Sequence, residues 1–218
     1  MTKNAKFIPV LKFDWLTRFF DPLMKLTMSE KKFKKALLLQ ADIKDNDIIL
    51  DFGCGTATLM IMAKKEAPKA SIYGVDVDPN VLKIAKNKVK NSGYEISLRA
   101  YDGISLPYKS ETFDKVLSSL VFHHLTRSQK EIVLKEIYRT LKFGGELHIA
   151  DFGRASNIFM RGMFLIIQLF DGFINTSDNV NGLLPEIIRE AGFDKVIEHK
   201  RIMTLFGTIS LYRAIKLL

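Results

Sequence analysis

Cysteine is almost absent from this chain: Cys54 is the only one in 218 residues. That excludes an internal disulfide and a cysteine metal cluster, and it fits a reducing interior. Cys54 itself reads as a small buried filler in a glycine turn, and no metal site is legible. Long apolar runs are missing too. Although 47% of the residues are hydrophobic, no run approaches the roughly 18 residues that a membrane-spanning helix needs. Asp14 and Asp21 interrupt the N-terminal stretch, so no signal peptide is expected and the protein reads as cytoplasmic. Acid is in deficit: 24 Asp and Glu face 33 Lys and Arg, a formal charge of +9. Such a balance suits a nucleic acid, an anionic membrane surface or a lysine-rich solvated face. The densest cluster is Lys25 with Lys31, Lys32, Lys34 and Lys35, and Glu30 is the only acid among them. Phe33, Leu37, Leu38 and Leu39 supply an apolar side. A basic amphipathic helix of this kind suits peripheral membrane association, and equally a solvated surface. No repeat or low-complexity segment is present, and this length is most simply one domain. No residue pattern speaks to an oligomeric state.

What is present concentrates in the eleven residues 49–59, ILDFGCGTATL. The apolar run Ile48-Ile49-Leu50 reads as a buried strand that closes on Asp51. Gly53-Cys54-Gly55 then turns the chain into a stretch that can begin a helix. Strand, glycine turn and helix form the entry to a nucleotide-binding α/β fold, because small residues let the backbone approach a ligand. A dinucleotide site asks for G-x-G-x-x-G and presents helix N-terminal amides to a pyrophosphate. Here Thr58 takes the third glycine position, and a carboxylate sits two residues before the first glycine. Asp51 repels a pyrophosphate but suits an ammonium and a sulfonium. The motif therefore favours S-adenosylmethionine over NAD.

The same alternation continues along the chain. A helix is expected over 56–66, a second strand at 71–75 closing on Asp76, and a helix from Pro79 to about Lys90. A third strand at 96–101 closes on Asp102, and a fourth covers 113–118. An amphipathic helix is expected over 128–141. Phe143-Gly144-Gly145 turns into a fifth strand at 146–150, which closes on Asp151. Strands alternating with helices at this interval predict a parallel, doubly wound sheet. Acids recur where strands end, at Asp51, Asp76, Asp102 and Asp151, and ligands bind at the carboxyl edge of an open α/β sheet.

These motifs resemble the class I S-adenosylmethionine-dependent methyltransferases. The likeness rests on Asp51-Phe52-Gly53-Cys54-Gly55-Thr56, on Gly74-Val75-Asp76-Val77-Asp78, and on Asp102-Gly103 with Leu106-Pro107-Tyr108 and Phe113-Asp114. Phe122-His123-His124-Leu125 and the stretch from Glu136 to Gly145 continue it, so it covers residues 45–151 in order. It implies a Rossmann-like seven-stranded sheet of order 3-2-1-4-5-7-6 with the last strand antiparallel. It also implies S-adenosylmethionine as cofactor, with contacts from Asp51, Gly53, Gly55, Asp76, Val77, Asp102, Gly103 and Ser119. In that reading Asp51 accepts from the methionyl ammonium, Asp76 takes the ribose hydroxyls and Asp102 meets the adenine amino group. Asp78 reads as a helix cap and Asp114 as structural. His123 and His124 are the catalytic candidates, since imidazole exchanges protons near neutral pH.

Two segments lie outside the core pattern. Residues 7–24, with Phe13-Asp14-Trp15-Leu16 and Phe19-Phe20-Asp21, are similar to the start of the quinone and phospholipid methyltransferase group (methyltransferase type 11). Phe20 stands where that group often has a tyrosine. Residues 156–174 are apolar on nearly every side and need a cover of protein, ligand or lipid. The expected division is therefore 1–44 as an N-terminal helical cap, 45–151 as cofactor core, 152–182 as a lid insertion and 183–218 as completion of the sheet. That last part carries a helix at 184–191 capped by Gly192 and strands near 195–200 and 208–215. The expected acceptor is amphipathic or lipid-like, a quinone precursor or a phospholipid amine, with an anionic membrane surface as a further partner. Ser118-Ser119-Leu120-Val121-Phe122 replaces the Asn/Asp-Pro-Pro-Tyr/Phe element of base-methylating enzymes, which disfavours a nucleic-acid substrate. The alternatives are an RNA or protein methyltransferase and one acting on a small polar metabolite. A non-catalytic cofactor-binding protein or an NAD-dependent oxidoreductase fits the residues poorly.

Overall fold

The computed structural model describes residues 30–156, 160–162, 164–165, 168, 172–204 and 207–217. The aromatic segment 7–24 and Lys25 lie outside these residues, as does much of the apolar insertion. Helix α1 (Glu30–Ala41) leads into β1 (Ile48–Phe52), α2 (Thr58–Glu66), β2 (Ser71–Asp76), α3 (Pro79–Ser92) and β3 (Ser97–Ala100). Then come β4 (Phe113–Ser119), a 3-10 turn (Phe122–His124), α4 (Arg127–Thr140) and β5 (Leu141–Phe152). After the insertion the chain forms α5 (Phe173–Val180), α6 (Leu184–Glu190), β6 (Asp194–Thr204) and β7 (Gly207–Ile215). The seven strands form one sheet in the order β3-β2-β1-β4-β5-β7-β6. All pairs from β3 to β5 are parallel, and β7 runs antiparallel to both neighbours. The expected order and the reversed last strand are both present.

Alternation along the strands splits the core into two layers. In β1, Ile49 faces a cluster built with Phe33 and Leu37 of α1, Leu59 and Met60 of α2, and Leu82 and Ala85 of α3. The next residue, Leu50, faces the opposite cluster with Val133, Leu134 and Ile137 of α4 and Leu184, Ile187 and Ile188 of α6. Side chains two apart share a face of a strand, so an unbroken apolar run serves both layers.

Helix ends follow local chemistry. Asp78 caps α3 by accepting from the Asn80 and Val81 amides at 2.8 and 3.4 Å, as its reading as a cap requires. Thr126 and Gln129 form a reciprocal capping box at the start of α4, which satisfies two amides that a helix end leaves open. Two of the boundaries that differ from expectation have a visible cause. Helix α2 begins at Thr58 rather than at 56, because Gly53, Gly55 and Ala57 all take left-handed φ angles (69°, 51° and 62°). The expected turn at 143–145 is instead a bulge within β5: Gly144 adopts φ 75° and its amide bonds the Lys216 carbonyl at 2.8 Å. The end of β7 thereby holds the irregular start of β5.

Candidate cofactor and acceptor site

The strand order reverses between β1 and β4, and the crevice above that point is where an open α/β sheet takes its ligand. Register fixes the geometry there. Asp51 pairs with Gly74 and Phe52 with Val75. The Gly53 and Cys54 amides both bond the Val75 carbonyl at 2.9 Å. The Gly55 amide then reaches the Asp76 carboxylate at 2.9 Å, while the other Asp76 oxygen accepts from the Asp78 amide at 3.0 Å. The glycine turn is thus fastened to the end of β2, and Asp51 and Asp76 come to lie close enough to repel each other.

Asp51 is only 2% exposed, and its Oδ1 has no hydrogen-bond partner among the described residues. The buried Ser119 hydroxyl, at the end of neighbouring β4, is likewise unpartnered. An unpaired buried acceptor is costly, so this arrangement is built for a donor that the protein does not supply. Above it a Cβ on Gly55 would meet nothing within 4 Å. The residues present therefore fit a ligand whose ammonium lies over the turn. Val77 and Gly103 also meet: a Cβ on Gly103 would lie 3.8 Å from the Val77 side chain. Asp102 is exposed, and its Oδ1 accepts from the Ile104 and Ser105 amides at 2.9 and 2.8 Å. Those amides hold its carboxyl below the ordinary range.

Burial pushes the Asp51 carboxyl up to about 7, the Lys34 ammonium draws it down, and the Asp76 carboxylate adds to the rise. An unfolded carboxyl ionises near 4, so between about pH 4 and 7 the folded chain keeps a proton that the unfolded chain has lost. Stability of the ligand-free protein should fall as pH rises through that window and level off above it. An ammonium pairs only with the ionised form. Affinity for S-adenosylmethionine should consequently rise ~10-fold per pH unit below 7 and flatten near 7. Calorimetric titrations from pH 5.5 to 7.5 test this; a flat profile in the wild type, or an unchanged slope in Asp51→Asn, contradicts the role given to Asp51.

On the acceptor side the structure corrects the grouping of the four strand-end acids. Asp151 is fully buried and already saturated. Its Oδ2 accepts from the Val121 and Phe122 amides at 3.0 and 2.7 Å, and its Oδ1 meets His123 Nδ1 and the Phe152 amide at 2.7 Å each. Burial alone would raise this carboxyl, but His123 and the amide donors outweigh it and hold it low. Asp151 is a builder of the 3-10 turn and offers nothing to a ligand. Sequence reasoning missed this role because a strand-end acid looks the same whether its donors come from a ligand or from the chain. His124 stacks on His123 with ring centroids 3.9 Å apart. Burial and the adjacent His123 push the His124 imidazole down to about 3. From α5, Asn179 Nδ2 donates to the Phe152 carbonyl at 2.9 Å, and Asp178 pairs with the buried Lys130 ammonium of α4 at 3.0 Å. Among the described residues no group of three or more His, Cys, Asp or Glu gathers to hold a metal ion.

Fold and site together suit a nucleotide-like ligand at the carboxyl edge of the sheet, and comparison with known proteins narrows the class. The profile of a methyltransferase domain matches residues 49–145. A demethylmenaquinone methyltransferase of Symbiobacterium thermophilum is 25% identical, over 92% of this chain and 89% of its own length. Another, of Thermus thermophilus, is 36% identical over 64% of this chain and 65% of its own length. Among solved structures, phosphoethanolamine N-methyltransferase 2 of Haemonchus contortus, in complex with S-adenosylmethionine, superposes with a TM-score of 0.68. It is 16% identical over 86% of this chain and 53% of that one, a likeness of fold. The chain thus carries a methyltransferase domain and shares the fold of a solved S-adenosylmethionine-bound methyltransferase. A methyltransferase domain makes its reaction methyl transfer, and the residues of the site fit S-adenosylmethionine as the donor.

Proposed function

We propose that the methyl acceptor is an amphipathic aromatic molecule of the quinol type. The observation that carries this is the extent of the likeness to the Symbiobacterium demethylmenaquinone methyltransferase. A match limited to residues 49–145 speaks for the cofactor half alone, whereas one over 92% of the chain reaches into segments beyond it. The described part of the insertion agrees. Phe164 is 3% exposed and packs edge-on against Phe152 at 4.9 Å, and Phe152 in turn meets the His123 ring at 5.0 Å. These buried rings make the side of the 3-10 turn apolar, which suits a ring nearby better than a polar headgroup.

In this reading Asp51, Gly53, Gly55, Asp76, Val77, Asp102, Gly103 and Ser119 hold the cofactor, which supplies a methyl group on a positively charged sulfur. The protein's share is then placement and exclusion of water. His123 and His124 are shape-giving groups at the acceptor side rather than proton carriers. His123 is committed to Asp151, and His124 is too weakly basic to hold a proton at neutral pH. A tritium-transfer screen over demethylated quinols, phospholipid amines and small polar phenols tests the acceptor. Incorporation into quinols alone is expected; preferential labelling of an amine or a polar metabolite overturns the assignment.

A membrane surface is proposed as partner from the same acceptor chemistry, with the exposed lysines of α1 as the residues to test. Lys31, Lys32 and Lys35 are exposed on α1 beside Leu39, which is 67% exposed, whereas Lys34 turns inward to Glu30. No described helix is long and apolar enough to cross a membrane. Each basic residue at an anionic surface contributes ~1 kcal/mol. Replacing these three lysines with alanine should lower sedimentation with anionic vesicles at low salt by on the order of a hundredfold in partition coefficient. Wild-type protein that stays in the supernatant removes the membrane from this reading.

A further inference from the structure

We propose that the whole outer face built by α1, α2 and α3, and not α1 alone, is the surface that meets an anionic lipid bilayer. This rests on the membrane partner proposed above and extends it across the molecule. Helix α1 packs over β4 and β5 and α3 over β2 and β3, with α2 between them. Charge is spread unevenly over the two layers of helices. Helices α1, α2 and α3 carry ten lysines and two glutamates. Glu30 is engaged with Lys34, so Glu66 is the one acid of these helices exposed to solvent. On the opposite layer α4 and α6 carry five basic residues and four acidic ones. Several of those close on one another: Arg127 meets Glu131 and Glu190 at 3.1 and 2.6 Å, and Arg139 meets Glu136 at 2.8 Å.

Burial fixes which side chains look outward. On α3, Leu82, Ala85 and Val89 enter the core, which leaves Lys83, Lys86 and Lys90 exposed at i, i+3 and i+7 on one stripe. On α1 the docking of Phe33 and Leu37 leaves Lys31, Lys35 and Leu39 exposed at i, i+4 and i+8. Lys65, Lys83, Lys86 and Lys90 make no ion pair with a described residue. Unopposed like charges on neighbouring helices repel, a cost that a polyanionic surface removes. Two features favour a bilayer over a nucleic acid. Leu39 on α1 and Ile84 on α3 stand 67% and 55% exposed among the lysines, and a membrane interface takes up aliphatic side chains that a phosphate backbone leaves in water. Phe33, the only aromatic residue of the three helices, is fully buried, so the face offers no ring on which a base could stack. The contact is a face of the sheet rather than its carboxyl edge, so the cofactor crevice stays open beside it.

The test is sedimentation of the full chain at low salt with vesicles of phosphatidylcholine mixed with phosphatidylglycerol. Vesicles of phosphatidylcholine alone and a single-stranded RNA, read by anisotropy, are measured beside them. Wild type should bind the anionic vesicles and leave the neutral ones. A variant carrying Lys83→Ala, Lys86→Ala and Lys90→Ala should lose ~100-fold in partition coefficient, as much as the α1 variant does. Ile84→Ser should lose ~3–10-fold, and both α3 variants should bind S-adenosylmethionine as wild type does. If the lysine variant of α3 sediments like wild type while the α1 variant does not, the contact is confined to α1. That result overturns this proposal and leaves the membrane partner in place. Wild type that stays in the supernatant removes that partner and this proposal with it. RNA bound more tightly than the anionic vesicles, and released by the α3 substitutions, gives the face to a nucleic acid and overturns the proposal.

Discussion

Asp151→Ala should destabilise the protein by about 3–5 kcal/mol, the scale seen when one partner of a buried charged network is removed. The carboxylate gathers the amides of Val121, Phe122 and Phe152 and the His123 ring, all at 3.0 Å or less. Its loss leaves several buried donors without an acceptor, each worth ~1–3 kcal/mol. The neighbouring α5 would loosen as well, because Asn179 bonds the Phe152 carbonyl next to the acid. Denaturant unfolding measures the cost, with m-values compared to check that the transition stays two-state. Asp151→Asn, which keeps an acceptor oxygen, should lose less. A loss below about 1 kcal/mol for alanine would show that the turn holds its shape without the acid.

Gly53→Val should abolish detectable S-adenosylmethionine binding and also cost about 2–5 kcal/mol of stability. Sequence reasoning assigns Gly53 to close approach of the ligand, and the structure adds a second reason. A Cβ there would lie 2.4 Å from a Val121 methyl, at a φ of 69° that a β-branched residue tolerates poorly. The Val121 backbone is held beside the turn by its amide bond to Asp151, so relief is left to its side chain. Pairing Gly53→Val with Val121→Ala should therefore recover part of the stability, the steric share, and none of the binding. Full recovery of affinity in the double variant would show that Gly53 serves packing alone.

These two residues mark where the sequence stops being sufficient. The glycine turn and the acids that close β1 and β2 were legible because their chemistry is local. A strand, a carboxylate and two glycines within five residues can do few other things. Asp151 has the same local signature and a different purpose. Apart from the adjacent Phe152 amide, its closest donors come from residues 121–123, about 30 positions earlier, and only the pairing of β4 with β5 brings them to it. Lys34 shows the converse. In the sequence it is one of four lysines in a basic run, and only the docking of Phe33 and Leu37 separates it from the three that face solvent.

By itself, the sequence determined the order of strands and helices, the doubly wound sheet and the cofactor class. Each of these follows from apolar runs of strand length, from turn residues and from a motif spanning a few positions. The spacing of Asp51, Asp76 and Asp102, about 25 residues apart, already implied one βα unit between each pair. Tertiary structure decided which acids remain open. Asp51 keeps an unpartnered oxygen beneath the turn, while Asp151 is consumed by its own chain. It also decided that His124 sits where burial strips it of basicity, and that Phe164 faces the core rather than lipid. The physical reason is the same in every case. Whether a polar group is available, and at what pH, depends on the donors and the burial that distant segments supply, and neither is written in the residue's own neighbourhood.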